Sequence, residues 1–298
     1  MRSSILSTAR LSTCLTFLFS LCLASAQTAP AGRFPEPLEK FEMPPAPVGL
    51  YRLESSPRMI SPYGVFVSYQ VNVDSNGNNI VGDAANEPSI SVDPTNRNHI
   101  SIGWRQFNTY TSNFRQSGYG YSSDGGFTWH FPGVLQNNIF RSDPVLDYDE
   151  TGNFYYLSLL VNTFCGDIWR STNGGQTWTE RSPDGGAHSG DKEWFTVDKT
   201  PASMGHGFQY QFWTQVFACD FGGFSRSTDG GATWQSPISL PNSPQWGSLD
   251  VASNGDLFIG GGDSGSSFWC LRSTNAKNPN VTPTFDQVTT VNMNGSLV

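Results

Sequence analysis

The chain has 298 residues and a formal net charge of −8, and only 14% of it is charged. Lysine is confined to Lys40, Lys192, Lys199 and Lys277, and no basic run occurs, which argues against nucleic acid and anionic membrane surfaces as partners. The four histidines (His99, His130, His188, His206) show no metal-ligand spacing, so no zinc site is expected.

In chain order, residues 1–26 read as a secretory signal peptide. Arg2 and Arg10 give a basic start, Leu11–Leu23 an apolar stretch, and Ala24-Ser-Ala26 a small-residue cleavage site. The apolar run is shorter than the roughly 18 residues a membrane span needs. The expected destination is therefore outside the cytoplasm, secreted, extracellular or periplasmic, with no membrane insertion. Residues 27–63 contain eight prolines and read as a Pro-rich linker. The strand-like Tyr63–Gln70 is expected to complete a blade by pairing with the last one. Asp74-Ser-Asn-Gly-Asn78, with Asp83 beyond, carries oxygen ligands at alternating positions, as a calcium loop does. It lacks a glycine at the sixth position and a bidentate glutamate at the twelfth, so a polar turn and no cofactor are expected, with calcium the alternative.

Residues 64–298 are organised as a repeat. Pro88–Asp93 and His99–Trp104 are strand-like, and so are Pro144–Asp149 with Asn153–Leu160, Trp194–Asp198 with Gly207–Trp213, and Gly247–Val251 with Asp256–Ile259. Each of the first three pairs leads to one octapeptide: Ser122-Ser-Asp124-Gly-Gly126-Phe-Thr-Trp129, Ser171-Thr-Asn173-Gly-Gly175-Gln-Thr-Trp178, and Ser227-Thr-Asp229-Gly-Gly231-Ala-Thr-Trp234. Gly-Gly supplies the positive φ of a tight hairpin turn, Ser and Asp or Asn can bond the turn's own amides, and Thr-Trp starts the next strand. From Ser122 to Ser171 is 49 residues and from Ser171 to Ser227 is 56, about the length of one four-stranded propeller blade (roughly 40–50 residues). The fourth turn, Ser273-Thr-Asn275, has lost the Gly-Gly and the Trp. The reading is an all-β propeller of four-stranded antiparallel blades, about four of them, in an incomplete ring whose chain is C-terminally truncated. An open ring would leave strand edges unpaired.

With Cys14 and Cys22 in the signal, Cys165, Cys219 and Cys270 remain, each a few residues before its turn serine. One disulfide and buried free thiols are both open, since third strands of separate blades can lie beyond bonding distance. Asn280-Val-Thr and Asn294-Gly-Ser are glycan acceptor sequons if the secretory pathway is eukaryotic.

The octapeptide resembles the Asp-box (bacterial neuraminidase, or BNR, repeat) of the sialidase-like β-propeller superfamily, which also includes xyloglucanase-type glycosidases, sortilin-like receptors and photosystem assembly factors. The resemblance covers about residues 87–290. It implies a propeller whose boxes lie on blade hairpins away from the functional site, so that Asp124, Asn173 and Asp229 are structural.

Strand direction then places a site. The box hairpins mark one face, so first-strand starts and second-strand ends lie on the other. The starts are Glu87, Asp143, Asp191 with Glu193, and Trp246; the ends are Arg105, Leu160, Gln215 and Asp263; and Arg141 precedes Asp143 by two. Asp143, Glu193 and Asp191 are the candidate catalytic carboxyls, and Arg105, Arg141, Glu87, Trp246 and Asp263 the candidate substrate-binding residues. Trp104 and Trp194 are expected nearby. Carboxylates can act as acid and base on a glycosidic bond, and arginine can pair with a substrate carboxylate. The family's Arg-Ile-Pro motif is not matched: the nearest strings are Arg141-Ser-Asp-Pro144 and Trp104-Arg-Gln106. No glutamate follows Glu193 and no tyrosine follows Tyr210, whereas the family draws its Tyr/Glu pair from later blades. Two functions follow: a secreted glycan-binding, sialidase-like exo-glycosidase, or a non-catalytic extracellular propeller that binds glycan or protein.

Overall fold

A computed structural model describes residue 42, residues 53–55, 59–60, 67–263 and 267–292, and residue 294. The signal segment lies outside the described residues, as does most of the stretch expected to be a linker. Four short strands come first: β1 (Leu53–Ser55), β2 (Met59–Ile60), β3 (Val67–Ser68) and β4 (Asn78–Ile80). β1 pairs with β4 and β2 with β3. Two pieces of the expected linker are thus strands, and Val67-Ser68 pairs locally rather than with the last blade. The segment packs on the first blade, where Tyr69 meets Phe127 edge-on at 6.2 Å. The Asp74 carboxylate accepts the amides of Asn76 (2.9 Å) and Asn78 (2.8 Å), which makes this loop a self-capped polar turn.

The blades follow. The first is β5 (Ala84–Val92), β6 (Ile100–Phe107), β7 (Gln116–Ser122) and β8 (His130–Val134). The second is β9 (Arg141–Tyr148), β10 (Phe154–Leu160), β11 (Cys165–Ser171) and β12 (Thr179–Ser182). The third has only β13 (Trp194–Val197), β14 (Gln209–Phe212) and β15 (Phe224–Ser227). The fourth is β16 (Gln245–Val251), β17 (Leu257–Gly262), β18 (Phe268–Ser273) and β19 (Gln287–Thr290). All are antiparallel meanders, and no helix occurs among the described residues. The third blade corrects the expectation of four strands. Its outer position is taken by a single bridge, Phe224 to Ile238, next to Pro237, which has no N–H to add to a ladder.

The inner strands pack side by side in the order β5, β9, β13, β16, and the sheets do not close into a ring; among the described residues β5 and β16 do not pack as the other neighbours do. The cores lie between blades. Leu146, Tyr156 and Trp169 meet Tyr119 of the first blade; Val145, Leu157 and Ile168 meet Phe195 and Val197; Tyr210, Phe212 and Phe224 meet Leu249, Leu257 and Ile259. Each fully buried side chain of this size contributes about 1.5–3 kcal/mol by leaving water.

The octapeptide turns hold these interfaces. In the first, the Ser122 hydroxyl accepts the Gly126 amide at 2.8 Å, and the Asp124 carboxylate accepts the Thr128 amide at 2.9 Å and its hydroxyl at 2.7 Å. The same bonds recur at Ser227/Asp229, and at Ser171/Asn173 with one reversed, the Asn173 Nδ2 donating to the Thr177 hydroxyl at 2.9 Å. The Thr128 hydroxyl and amide, with Ser122, hold the Asp124 carboxyl down at about 2. Trp178 packs against Tyr119 of the preceding blade at 6.1 Å, and Trp234 joins the core of the second. Gly175 (φ +84°) lies against that preceding blade too: a Cβ there would stand 2.7 Å from the Ser101 hydroxyl.

The fourth turn is not degenerate. Asn275 Oδ1 accepts the Thr284 amide at 2.8 Å, Asn275 Nδ2 donates to the Thr284 hydroxyl at 3.0 Å, and Phe285 packs into the core where the others place Trp. A loop inserted between Asn275 and Thr284 hides the motif in the sequence. Asn275→Ala is therefore expected to lower stability in urea by about 1–2 kcal/mol, the same amount as Asp229→Ala. No effect at Asn275 would mean that the fourth turn is not equivalent.

Candidate functional site

The ladder register sets the ends of the blades. Asn86 pairs with Arg105, and Arg141 with Leu160, which pairs with Cys165; Gln245 pairs with Gly262, which pairs with Phe268. Inner-strand starts and second-strand ends thus share one end of the propeller, and the octapeptide turns occupy the other.

Every inner strand breaks its ladder at one step. The register shifts between Asn86 and Ser89, between Ser142 and Val145, and between Gln245 and Ser248. In the third blade the step falls between the Thr214 N–H to Asp191 O bond and the Trp194–Phe212 pair. At that step stand Glu87 (φ 48°), Asp143 (φ 45°), Lys192 (φ 55°) and Trp246 (φ 52°), all left-handed. Non-glycine residues rarely adopt this conformation, and a bulky one there is an outlier. Four at one repeat position form a built feature: a bulge that re-aims one side chain per blade. Gly247 is required beside it, because a Cβ would lie 1.8 Å from the Gly260 carbonyl oxygen.

These side chains meet around a cleft of about 430 Å³ lined by Glu87, Asp143, Lys192, Glu193, Trp194 and Trp246. Trp194 and Trp246 are 42% and 48% exposed. Glu87 pairs with Arg105 at 2.8 Å and with Lys192 at 3.5 Å; Asp143 pairs with Lys192 at 3.1 Å and with Arg105 at 3.9 Å. The Ser142 hydroxyl donates to Asp143 at 2.6 Å and accepts from the buried Arg115 at 3.2 Å. Burial lowers the Arg115 guanidinium to about 10, against the pull of Asp143 and Asp191. Lys192 is raised: partial burial opposes its charge, but Asp143 and Glu87 outweigh it.

Two carboxyls lie deeper. Asp191 is fully buried and Glu193 is 2% exposed, and none of their four oxygens has a hydrogen-bond partner. Burial first, then the Asp143 charge, raises Asp191 to about 6 and Glu193 well above the usual carboxyl range. The protonated form of Glu193 is therefore favoured, while Asp143 is surrounded by cations and a hydroxyl. Two carboxyls in contrasting surroundings are the arrangement that acid and base chemistry requires. Among the described residues no group of three or more His, Cys, Asp or Glu side chains is arranged to hold a metal ion.

The structure thus brings together Glu87, Arg105, Asp143, Asp191, Glu193 and Trp246. Two candidates are corrected. Arg141 is 1% exposed, forms an ion pair with Asp167, and stacks on Trp169 at 4.5 Å. It lies along the face of its own blade and does not line the cleft. Asp263 accepts the Ser267 amide at 3.2 Å and the Trp269 indole N–H at 3.1 Å, and it too stands outside the cleft. Trp104 is buried against Phe131. Lys192 and Arg115 were missed. The ladder steps of the four inner strands (Glu87-Pro, Asp143-Pro, Lys192-Glu, Trp246-Gly) place Lys192 beside the others only once the strands are in register; nothing local marks Arg115.

A raised carboxyl pKa means that the folded state holds the proton more tightly than the unfolded one. Its stability share is whole below pH ~4 and is lost as pH rises to about 6, on the order of 2–3 kcal/mol for a shift of this size. Asp191→Asn is expected to match the parent at pH 4 and exceed its stability in urea by about that amount at pH 8. Equal stability at both pH values would contradict it.

Fold and cleft together define an all-β propeller with a carboxyl-rich mouth at the ends of its inner strands. No family model and no curated protein matches the chain. It is similar to solved structures at low identity. A protein of unknown function from Dyadobacter fermentans is 17% identical with a TM-score of 0.42, over 70% of this chain and 72% of that one. The GH74 xyloglucanase of Xanthomonas campestris is 17% identical at 0.44, over 70% of this chain and 31% of that one. The leech intramolecular trans-sialidase is 10% identical at 0.43, over 68% of this chain and 51% of that one.

Proposed function

We propose that the chain is an exported Asp-box propeller of the sialidase-like kind that binds glycan at the channel mouth and hydrolyses a glycosidic bond there. One observation carries this reading: two half-exposed indoles flank a cleft in which a buried carboxyl, Glu193, lies near Asp143, which is paired with cations. An indole offers a flat apolar face with a polar edge, suited to the apolar face of a sugar ring. Glu193 is the proton donor to the leaving oxygen, and Asp143 the carboxylate that activates water or meets the developing positive charge. The Cys165–Cys219 disulfide supports export, since such bonds persist in oxidising compartments.

The full chain is tested on a panel of aryl glycosides, sialosides included. Turnover that Asp143→Ala abolishes supports the reading; no turnover on any member sinks the hydrolytic part. The second reading, a non-catalytic binder of glycan or extracellular protein, is favoured by the mutual pairing of Glu87 and Asp143 with Arg105 and Lys192, which leaves the rim nearly self-neutralised. Binding on a glycan array without hydrolysis would select it.

A further inference from the structure

The segment that supplies Asp191, Lys192 and Glu193 is the most strained stretch of the site. Between Asp184 and Lys192, four non-glycine residues have left-handed backbone: Asp184 (φ 58°), His188 (63°), Ser189 (108°) and Lys192 (55°). Such residues persist only where their surroundings over-determine them. No named strand covers residues 183–193, so the constraint must come from elsewhere.

Ala187 and His188 bond the Gly166 backbone of β11, and residues 189–191 form a short antiparallel ladder with residues 214–219. The Asp191 amide donates to Phe217 O at 2.6 Å, the Cys219 amide to Ser189 O at 3.0 Å and the Thr214 amide to Asp191 O at 3.0 Å, with Gly190 bridged to Ala218. The ladder is anchored at both ends. Cys219 is disulfide-bonded to Cys165, the first residue of β11 in the second blade, with 4.7 Å between Cα atoms. Beside that bond, His188 pairs with Asp220 at 2.7 Å and the rings of Phe164 and Phe217 lie 5.9 Å apart. At the other end the Thr214 hydroxyl accepts the Trp246 amide at 3.1 Å, at the left-handed step of the fourth blade. One covalently pinned ladder therefore reaches β11 of the second blade, the segment leading into β13 of the third and β16 of the fourth, at the mouth end and not at the turn end.

We propose that the Cys165–Cys219 disulfide and the 189–191/214–219 ladder form a positioning strap that sets Asp191, Lys192, Glu193 and Trp246 across the channel mouth. Cys165 and Cys219 are positioning residues: they touch none of the reacting groups and act through the ladder. The proposal takes the channel-mouth cleft as the working site, but its test needs no substrate. The core between the second and third blades, built on Val145, Leu157, Phe195 and Val197, holds those sheets together without the bond, so cutting the strap should loosen the mouth and leave the blades folded.

The test is amide hydrogen exchange, read by mass spectrometry, on the parent and on Cys165→Ser/Cys219→Ser. Amides at positions 191, 214, 219 and 246 are expected to exchange at least about 30-fold faster, the factor that ~2 kcal/mol represents, while β10 and β17 keep their protection. Unchanged exchange at those four amides would overturn the proposal. So would acceleration by one common factor across all blades, because a bond that only adds global stability acts in that way. If the variant does not accumulate folded, the parent treated with a dithiol after folding is read in the same way. Glycan binding is followed in parallel. A parent that binds none removes the glycan reading, and the exchange pattern still decides the strap.

Discussion

Glu193→Gln is expected to lower glycoside turnover by roughly 10²–10⁴-fold, the usual contribution of a positioned general acid. The substitution keeps volume and burial and removes only the transferable proton. Its side chain is buried and no protein side chain hydrogen-bonds to it, so the amide removes no structural side-chain bond. Burial and the nearby Asp143 charge keep it protonated well above the ordinary carboxyl range, and activity should fall on the alkaline side as that proton is lost. The Asp191 and Glu193 carboxyls act on one another, so the alkaline limb belongs to the pair rather than to one residue. The amide should abolish the limb as well as the rate. Substrates with good leaving groups need less protonation, so aryl glycosides of low leaving-group pKa should be affected least. A Glu193→Gln protein as active as the parent on poor leaving groups would remove Glu193 from the chemistry.

Arg141→Ala should be the most damaging single change to stability, about 3–5 kcal/mol, because it leaves Asp167 as an uncompensated buried charge. The guanidinium also donates to Gln136 Oε1 and covers the Trp169 ring at 4.5 Å, so packing is lost with the charge. At about 2–4 °C per kcal/mol for a domain of this size, melting should fall by about 10 °C. The double change Arg141→Met/Asp167→Leu should cost clearly less than the sum of the single changes, since neither charge is then stranded. A small thermal shift for Arg141→Ala would show that water reaches the pair. By contrast, Arg105→Ala, at the rim of the cleft, should alter stability little and glycan affinity more.

These two arginines show where sequence reasoning stopped. Residues 141 and 143 should share a face in a regular strand, which is why both were candidates for the mouth. The left-handed Asp143 interrupts that alternation: Asp143 turns to the cleft while Arg141 lies along its own sheet. No property of Asp143 as a residue type predicts a positive φ, because bulges arise from ladder pairing with a strand that a local pattern does not contain. The same reason hid Lys192, whose place beside Glu87 and Asp143 exists only once the third inner strand is in register with the others. The fourth turn was hidden differently. Its Thr284 and Phe285 stand well beyond Asn275 in sequence, and only the fold brings them to the positions that Thr177 and Trp178 hold next to Asn173.

What the sequence determined by itself was the repeat: strand, turn, strand, loop, strand, Ser-x-Asp turn, strand. It is local chemistry, carried by alternation and by glycine and Asp or Asn at turns, and such information is contained in a few neighbouring residues. It also sufficed to say that inner-strand starts and second-strand ends share one end of the blades, because antiparallel order follows from connectivity. Only the tertiary structure decided which side chains reach the mouth, that Cys165 and Cys219 are bonded, and that Asp191 and Glu193 are buried. Each of these depends on how one blade is set against the next, and that setting comes from packing among residues tens of positions apart.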